Sequence, residues 1–131
     1  MDSFTQLTAW KKGLQLVKEV HTLTKRLPDE EKFEMKRQLR KASTSILANT
    51  AEGFSRRMND DKSHKYTIAR GECSEVEAFL IIARELQYFT TADVRNALNL
   101  TNETGKLLSG LIQYHTNKSN PLHHTPKSSA R

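Results

Sequence analysis

The apolar positions of this 131-residue chain fall into four stretches of helical period separated by short polar phrases. In one of them Met35, Leu39, Ala42, Ile46, Asn49 and Gly53 recur at alternating spacings of four and three, the seam of a bundle helix, with Asn49 standing where a leucine is expected. Thr44, Ala48 and Ala51 lie on the opposite side and are small enough to admit another helix, which predicts a central helix covered on more than one side. Before it, a helix from Thr5 or Thr8 to about Lys25 carries two apolar rows. Leu7, Trp10, Leu14 and Val17, continued by His21, form the first, and Leu16, Val20, Leu23 and Leu27 the second. Gly13 lowers helix propensity there by about 1 kcal/mol against alanine and marks a close crossing. Pro28 ends this helix, and Asp29, Glu30 and Glu31 suit the positive end of the next, which runs to about Phe54.

Residues 55–61 read as a surface turn ending in Asn59, Asp60 and Asp61, good N-caps for a third helix over about 62–89. Its rows are Tyr66, Ala69, Cys73, Val76, Leu80 and Ala83, then Phe79, Ile82, Leu86 and Phe89, so its second half is nearly all core. Thr90-Thr91-Ala92-Asp93 has the form of a capping box. It opens a fourth helix over about 92–115 on Val94, Leu98, Leu107, Leu108, Leu111 and Ile112, with a polar centre at 101–104. Four such helices on short connections predict an all-α fold, an antiparallel up-down-up-down four-helix bundle, as one domain over residues 1–116. Residues 117–131, polar and proline-broken, read as a disordered tail.

Composition narrows the function more than it shapes the fold. No run of about 18 apolar residues exists, so no membrane span is expected. The opening MDSFTQLTAW has an acid where a signal peptide has cations, which points to the cytosol, and the lone Cys73 suits a reducing compartment. Cys73 lies on an apolar row with no histidine at helical spacing and reads as a small core residue. A di-metal bundle needs paired Glu-x-x-His phrases, and only Asp61-x-x-His64 comes near; His123 and His124 sit in the polar tail. No glycine-rich phosphate loop occurs. No catalytic residue, metal or cofactor is therefore expected.

Charge is what remains. The net +6 is unevenly placed, with ten basic and four acidic residues over 32–70 against two and six over 71–105. Lys36, Arg37, Arg40 and Lys41 occupy a helical arc of roughly 140°, and Arg56 and Arg57 could lengthen the footprint. Such an arc could track nucleic-acid phosphates, meet Glu72, Glu75 and Glu77 of the same or a neighbouring subunit, or simply be solvated. Asn49 and Glu52 are polar in a small, apolar stretch. They either fix helix register or a subunit contact, or Glu52 points to water and Asn49 bonds an adjacent loop.

Ser45-Ile46-Leu47-Ala48-Asn49-Thr50-Ala51-Glu52-Gly53, with Gln38, Leu39, Arg40 and Ala42 upstream, resembles the S-I-x-x-N-I-A-E-G signature of the four-helix-bundle family of proteins encoded in ribosomal RNA intervening sequences. Leu7 to Trp10 resembles that family's Leu-x-x-Trp phrase, and Pro28 to Glu31 its Pro-x-x-Glu phrase. Ala69, Gly71 and Glu75 match its A-x-G-S-x-x-E phrase, with Glu72 in place of the serine and Thr50 in place of the signature's second isoleucine. The resemblance covers about residues 4–115. It implies an antiparallel bundle, a ring-shaped homopentamer with a central channel, and distant kinship to accessory proteins of diversity-generating retroelements, which associate with a reverse transcriptase and nucleic acid. It implies no catalytic residues. Structural or oligomer contacts are then expected at Asn49, Glu52, Gly53, Glu72 and Glu75.

Two functions follow. One is a non-enzymatic, self-assembling bundle whose basic residues Lys36, Arg37, Arg40, Lys41, Arg56 and Arg57 bind RNA or other nucleic acid. The other is a structural or adaptor protein whose charged faces serve ring assembly and docking of a partner protein such as a reverse transcriptase. A third, nucleotide or cofactor chemistry at a bundle interface, lacks a phosphate loop or metal set.

Overall fold

A computed structural model describes residues 2–31 and 34–119. Its helices are α1 (Thr8–Thr24), α2 (Met35–Ser55), α3 (Asn59–Glu85) and α4 (Thr91–Ser119), with short 3-10 turns at Phe4–Gln6 and Asp29–Glu31. Side-chain bonds give their directions. Arg40, early in α2, reaches His21 and Thr24 at the end of α1, and Lys62, early in α3, donates to the carbonyls of Gly53 and Phe54 at the end of α2. Ser63 donates to the Ile112 carbonyl late in α4, and Arg26, just past α1, clasps Asp93 at the start of α4 with two 3.1 Å bonds. Neighbours therefore run antiparallel and α4 closes on α1, the up-down-up-down bundle that the periodicity predicts. Among the described residues no helix is long and apolar enough to cross a membrane.

The expected rows fill the core only in part. Met35, Leu39, Ala42, Ile46 and Gly53 are buried in α2, as are Tyr66, Ala69, Cys73, Val76, Leu80 and Ala83 in α3. In α1 the second row is buried, whereas Trp10 and Val17 of the first are half-buried and Leu14 is 37% exposed. That helix packs mainly against α2 and α4, so a single stripe, Ala9, Gly13, Leu16, Val20 and Leu23, is buried. The end of α3 is also less buried than its apolar pattern predicts, with Ile82 44% and Leu86 52% exposed. The strip Thr44, Ala48 and Ala51, expected under cover, is exposed at its first two positions and half-buried at the third.

Four threonines take core positions that a hydrophobic count passes over. Thr24, Thr50, Thr101 and Thr104 are buried, and each hydroxyl donates to the carbonyl four residues back, at 2.8, 2.7, 2.7 and 2.7 Å. An unmade bond at such a site costs about 1–3 kcal/mol; with it made inside the helix, threonine packs with the shape of valine. No buried side-chain polar atom among the described residues lacks a partner. Asn49 is half-buried and donates to the Ser45 carbonyl of its own helix at 2.9 Å.

Helix ends differ from expectation where local bonding competes with period. Asp29–Glu31 forms a 3-10 turn, so those acids precede α2 instead of filling its first turn. Asn59, Asp60 and Asp61 lie inside the first turn of α3, after Met58. The Thr90–Asp93 box is reciprocal, with Thr90 N–H on Asp93 Oδ2 at 2.8 Å and Asp93 N–H on Thr90 Oγ1 at 3.0 Å. Gln87, at a left-handed φ of 67°, stops α3 short of Phe89, which is buried from the connection. α4 continues to Ser119, past the boundary read at 116. The rest of the tail, with His123 and His124, lies outside the described residues.

Two glycines permit the closest approaches. A Cβ on Gly13 would stand 2.9 Å from Leu47 Cδ2, and one on Gly53 would stand 2.6 Å from Tyr66 Cε1. At Gly71, in the same kind of helical backbone, nothing lies within 4 Å. Gly53→Ala should therefore destabilise the fold by about 1–3 kcal/mol through overpacking, and Gly71→Ala should stabilise it by about 0.5–1 kcal/mol through helix propensity alone. Paired urea titrations check the opposite signs.

Candidate nucleic-acid interface

α2 starts against the grain of its own electrostatics. A helix N-terminus carries partial positive charge and favours acids, yet its first turn holds none, and Lys36, Arg37, Arg40 and Lys41 crowd its first two turns. Glu34 precedes the helix without a side-chain cap bond to the backbone. Stability alone does not produce this arrangement.

Antiparallel packing sets this end beside the end of α1. Lys36, Arg37, Arg40 and Lys41 then line one groove of about 620 Å³ with His21 of α1 and with Thr44, Ser45 and Ala48. The four cations have different duties. Arg40 donates from Nε to Thr24 Oγ1 at 2.9 Å and from Nη2 to the His21 carbonyl at 3.3 Å, so it closes the negative end of α1. Lys41 is exposed but also borders a small cavity of about 120 Å³ with Gln38, Ala42, Glu72 and Glu75. Burial pushes the Glu72 carboxyl up, the neighbouring Glu75 pushes it further, and Lys41 opposes both. Within the chain, Lys41 is the member of the arc that borders Glu72 and Glu75, while Glu77 lines a different cavity between α3 and α4. Arg37 is exposed and Lys36 half-buried, with no salt bridge at either among the described residues.

Arg56 and Arg57 stand at the other end of α2, roughly 30 Å away at 1.5 Å per residue. There Glu52, exposed, bridges Lys65 at 3.0 Å and Arg56 at 3.5 Å, and these cations hold its carboxyl below the ordinary range. Arg57 is exposed beside Ser55, Met58 and Asp61. The structure thus gathers four of the six predicted cations and separates two. Asn49 and Gly53 lie along the second half of α2, away from the groove.

His21, which continues the first apolar row of α1 in the sequence, is the α1 contribution to the groove. Its pKa is lowered first by burial, then by Arg40, Lys25 and Lys36, which shows how far the positive field extends and brings in Lys25. Charge over the whole bundle follows the same division. α1 and α2 carry seven basic and two acidic residues, α3 and α4 seven and eight. Cys73 is buried, and burial with Glu72 nearby pushes its thiol up to about 12, which suits a core residue. Among the described residues no group of three or more metal-ligating side chains converges.

A family described as "23S rRNA-intervening sequence protein" matches residues 5–110. A solved structure from Bacteroides thetaiotaomicron VPI-5482, described as a protein with unknown function from the S23 ribosomal protein family, is similar at 30% identity with a TM-score of 0.74. The match covers 80% of this chain and 95% of that one. No curated protein matches the chain.

His21 should titrate below an ordinary histidine, and Arg40→Gln should move its midpoint upward, as read from its imidazole resonances by NMR. Because the folded value is depressed, the stability contribution of neutral His21 is present above the ordinary histidine range and is lost as pH falls through the folded value.

Proposed function

Because the chain belongs to the 23S rRNA-intervening sequence protein family, we propose that it is a non-enzymatic bundle that binds RNA through the cationic groove between the end of α1 and the start of α2. The observation that carries this reading is the cluster at the positive end of α2, where cations oppose the helix dipole. An RNA backbone relieves that opposition. Its phosphates neutralise Lys36, Arg37 and Lys41 together with the partial charge of the helix end, and counterion release supplies the free energy. Arg40 positions the end of α1 and adds to the field.

Stability and binding then pull in opposite directions, which provides the test. Replacing Lys36 and Arg37 with glutamate should leave the fold intact and raise its stability by about 0.3–1 kcal/mol per favourable dipole contact. The same substitutions should abolish binding to mixed-sequence RNA at low salt. Conservation of RNA affinity in that variant, or absence of binding by the wild-type chain, rejects the reading; fluorescence anisotropy with thermal melts measures both sides.

A second reading, self-assembly into a ring of five or docking of a partner protein, is favoured by Ile82 and Leu86, which expose an apolar patch on α3 away from the cationic groove. A heterologous contact of this patch with another surface closes a ring when the rotation permits. Sedimentation at micromolar protein should show an oligomer, and Ile82→Lys with Leu86→Lys should dissociate it; a monomeric wild-type chain rejects the assembly.

A further inference from the structure

Along α1, Lys11, Lys18 and Lys25 recur every seven residues. Seven residues fall about 20° short of two full turns, so the three lie in one row roughly 21 Å long. Lys25 keeps helical angles just past the end of α1, at φ −63° and ψ −21°. All three are exposed, and none has a salt bridge among the described residues. Their row faces away from the buried stripe of α1. The cluster on α2 lies across from the Lys25 end of this row, on an antiparallel neighbour that meets α1 again where Gly13 approaches Leu47. Helix axes packed this way stand about 8–10 Å apart. The outer face of the α1–α2 pair therefore has a long cationic row on one helix and a compact cationic cluster at one end of the other.

What lies beside these cations separates two kinds of RNA. Proteins that hold single strands present aromatic faces on which bases stack. Here the α2 cluster shares its groove with His21, Thr44, Ser45 and Ala48, and Leu14 and Val17 continue the His21 row of α1. Trp10, at the far end of this face, has its ring against Phe4, edge to face, at 4.6 Å. Double-stranded RNA, by contrast, is read through phosphates on both strands and 2′-hydroxyls across a wide, shallow minor groove. A cationic row on one helix and, on its neighbour, a cationic cluster flanked by small and hydroxylated side chains suit that shape. Of the acids on these two helices, Glu52 is occupied by Lys65 and Arg56 at the far end of α2, and Glu19 follows Lys18 on α1.

We infer that the RNA held by this face is a duplex, seated with one strand's phosphates along Lys11, Lys18 and Lys25 and the other strand's on Lys36, Arg37 and Lys41. The inference rests on the RNA-binding reading above and goes beyond it in naming the class of RNA and in adding the α1 lysines. Thr44 and Ser45 face the minor-groove 2′-hydroxyls.

The full chain is titrated with an RNA duplex of about 16 base pairs and, separately, with one of its strands, each labelled for fluorescence anisotropy. The duplex should bind at least about tenfold tighter than the single strand. Lys11→Ala, Lys18→Ala and Lys25→Ala combined should weaken duplex binding by an order of magnitude or more and lower the slope of log affinity against log salt by about 2–3. Circular dichroism checks that the variant is folded, and Lys18→Glu alone, a single exposed change, repeats the comparison. Equal or tighter binding of the single strand, or an unchanged salt slope in the folded triple variant, overturns the inference and leaves the RNA-binding reading standing. Failure of both RNAs to bind overturns that reading itself.

Discussion

The contact on which the bundle depends is the one with least room in it, Gly53 of α2 against the ring of Tyr66 of α3. Only a residue without a side chain lets the Tyr66 ring come this close to the α2 backbone. Lys62, one turn before Tyr66, then reaches the last carbonyls of α2, and the same tyrosine ring lies 5.8 Å from that of His115 in α4. His115 in turn meets Asn59 at 2.7 Å, which ties the end of α4 back to the start of α3. One missing methyl thus sets the spacing of three helices at one end of the molecule. Gly13 does the corresponding work between α1 and α2, and together the two glycines hold α2 between its neighbours.

This gives the signature segment a division of labour by physics. Gly53 is a packing position, Thr50 and Ile46 are core, Asn49 is bonded within its own helix, and Glu52 organises two surface cations. None of them enters the groove at the start of α2. The core and surface positions of this segment's second half and the cations that offer chemistry to a polyanion lie at opposite ends of one helix, with Ser45 and Ala48 of the same segment lining the groove between them.

The fold was legible in the sequence because a bundle is written in period, and period survives without knowledge of contacts. Tyr66, Cys73 and Val76 could be placed in the core from spacing alone. Thr50, Thr101 and Thr104 could not, since a threonine in the core depends on a hydroxyl turned back onto its own helix, which is a rotamer and not a spacing. Leu14, Ile82 and Leu86 failed in the other direction: a second apolar row shows that a face is hydrophobic, and nothing in one chain's spacing says whether another helix covers it. In the candidate site, the cations of α2 could be read as an arc. The role of Arg40 at the end of α1, the presence of His21 in the groove and the parallel row of α1 lysines needed the antiparallel neighbour in place, because each is a relation between helices.

The unequal charge of the two helix pairs has a kinetic consequence. With α1 and α2 strongly positive and α3 and α4 nearly balanced, the centre of charge is displaced from the centre of mass. In the field of a polyanion, such a molecule experiences a torque before it makes contact. It arrives with its cationic side leading, so fewer encounters are wasted on wrong orientations, and its capture rate falls steeply as added salt shortens the reach of that torque.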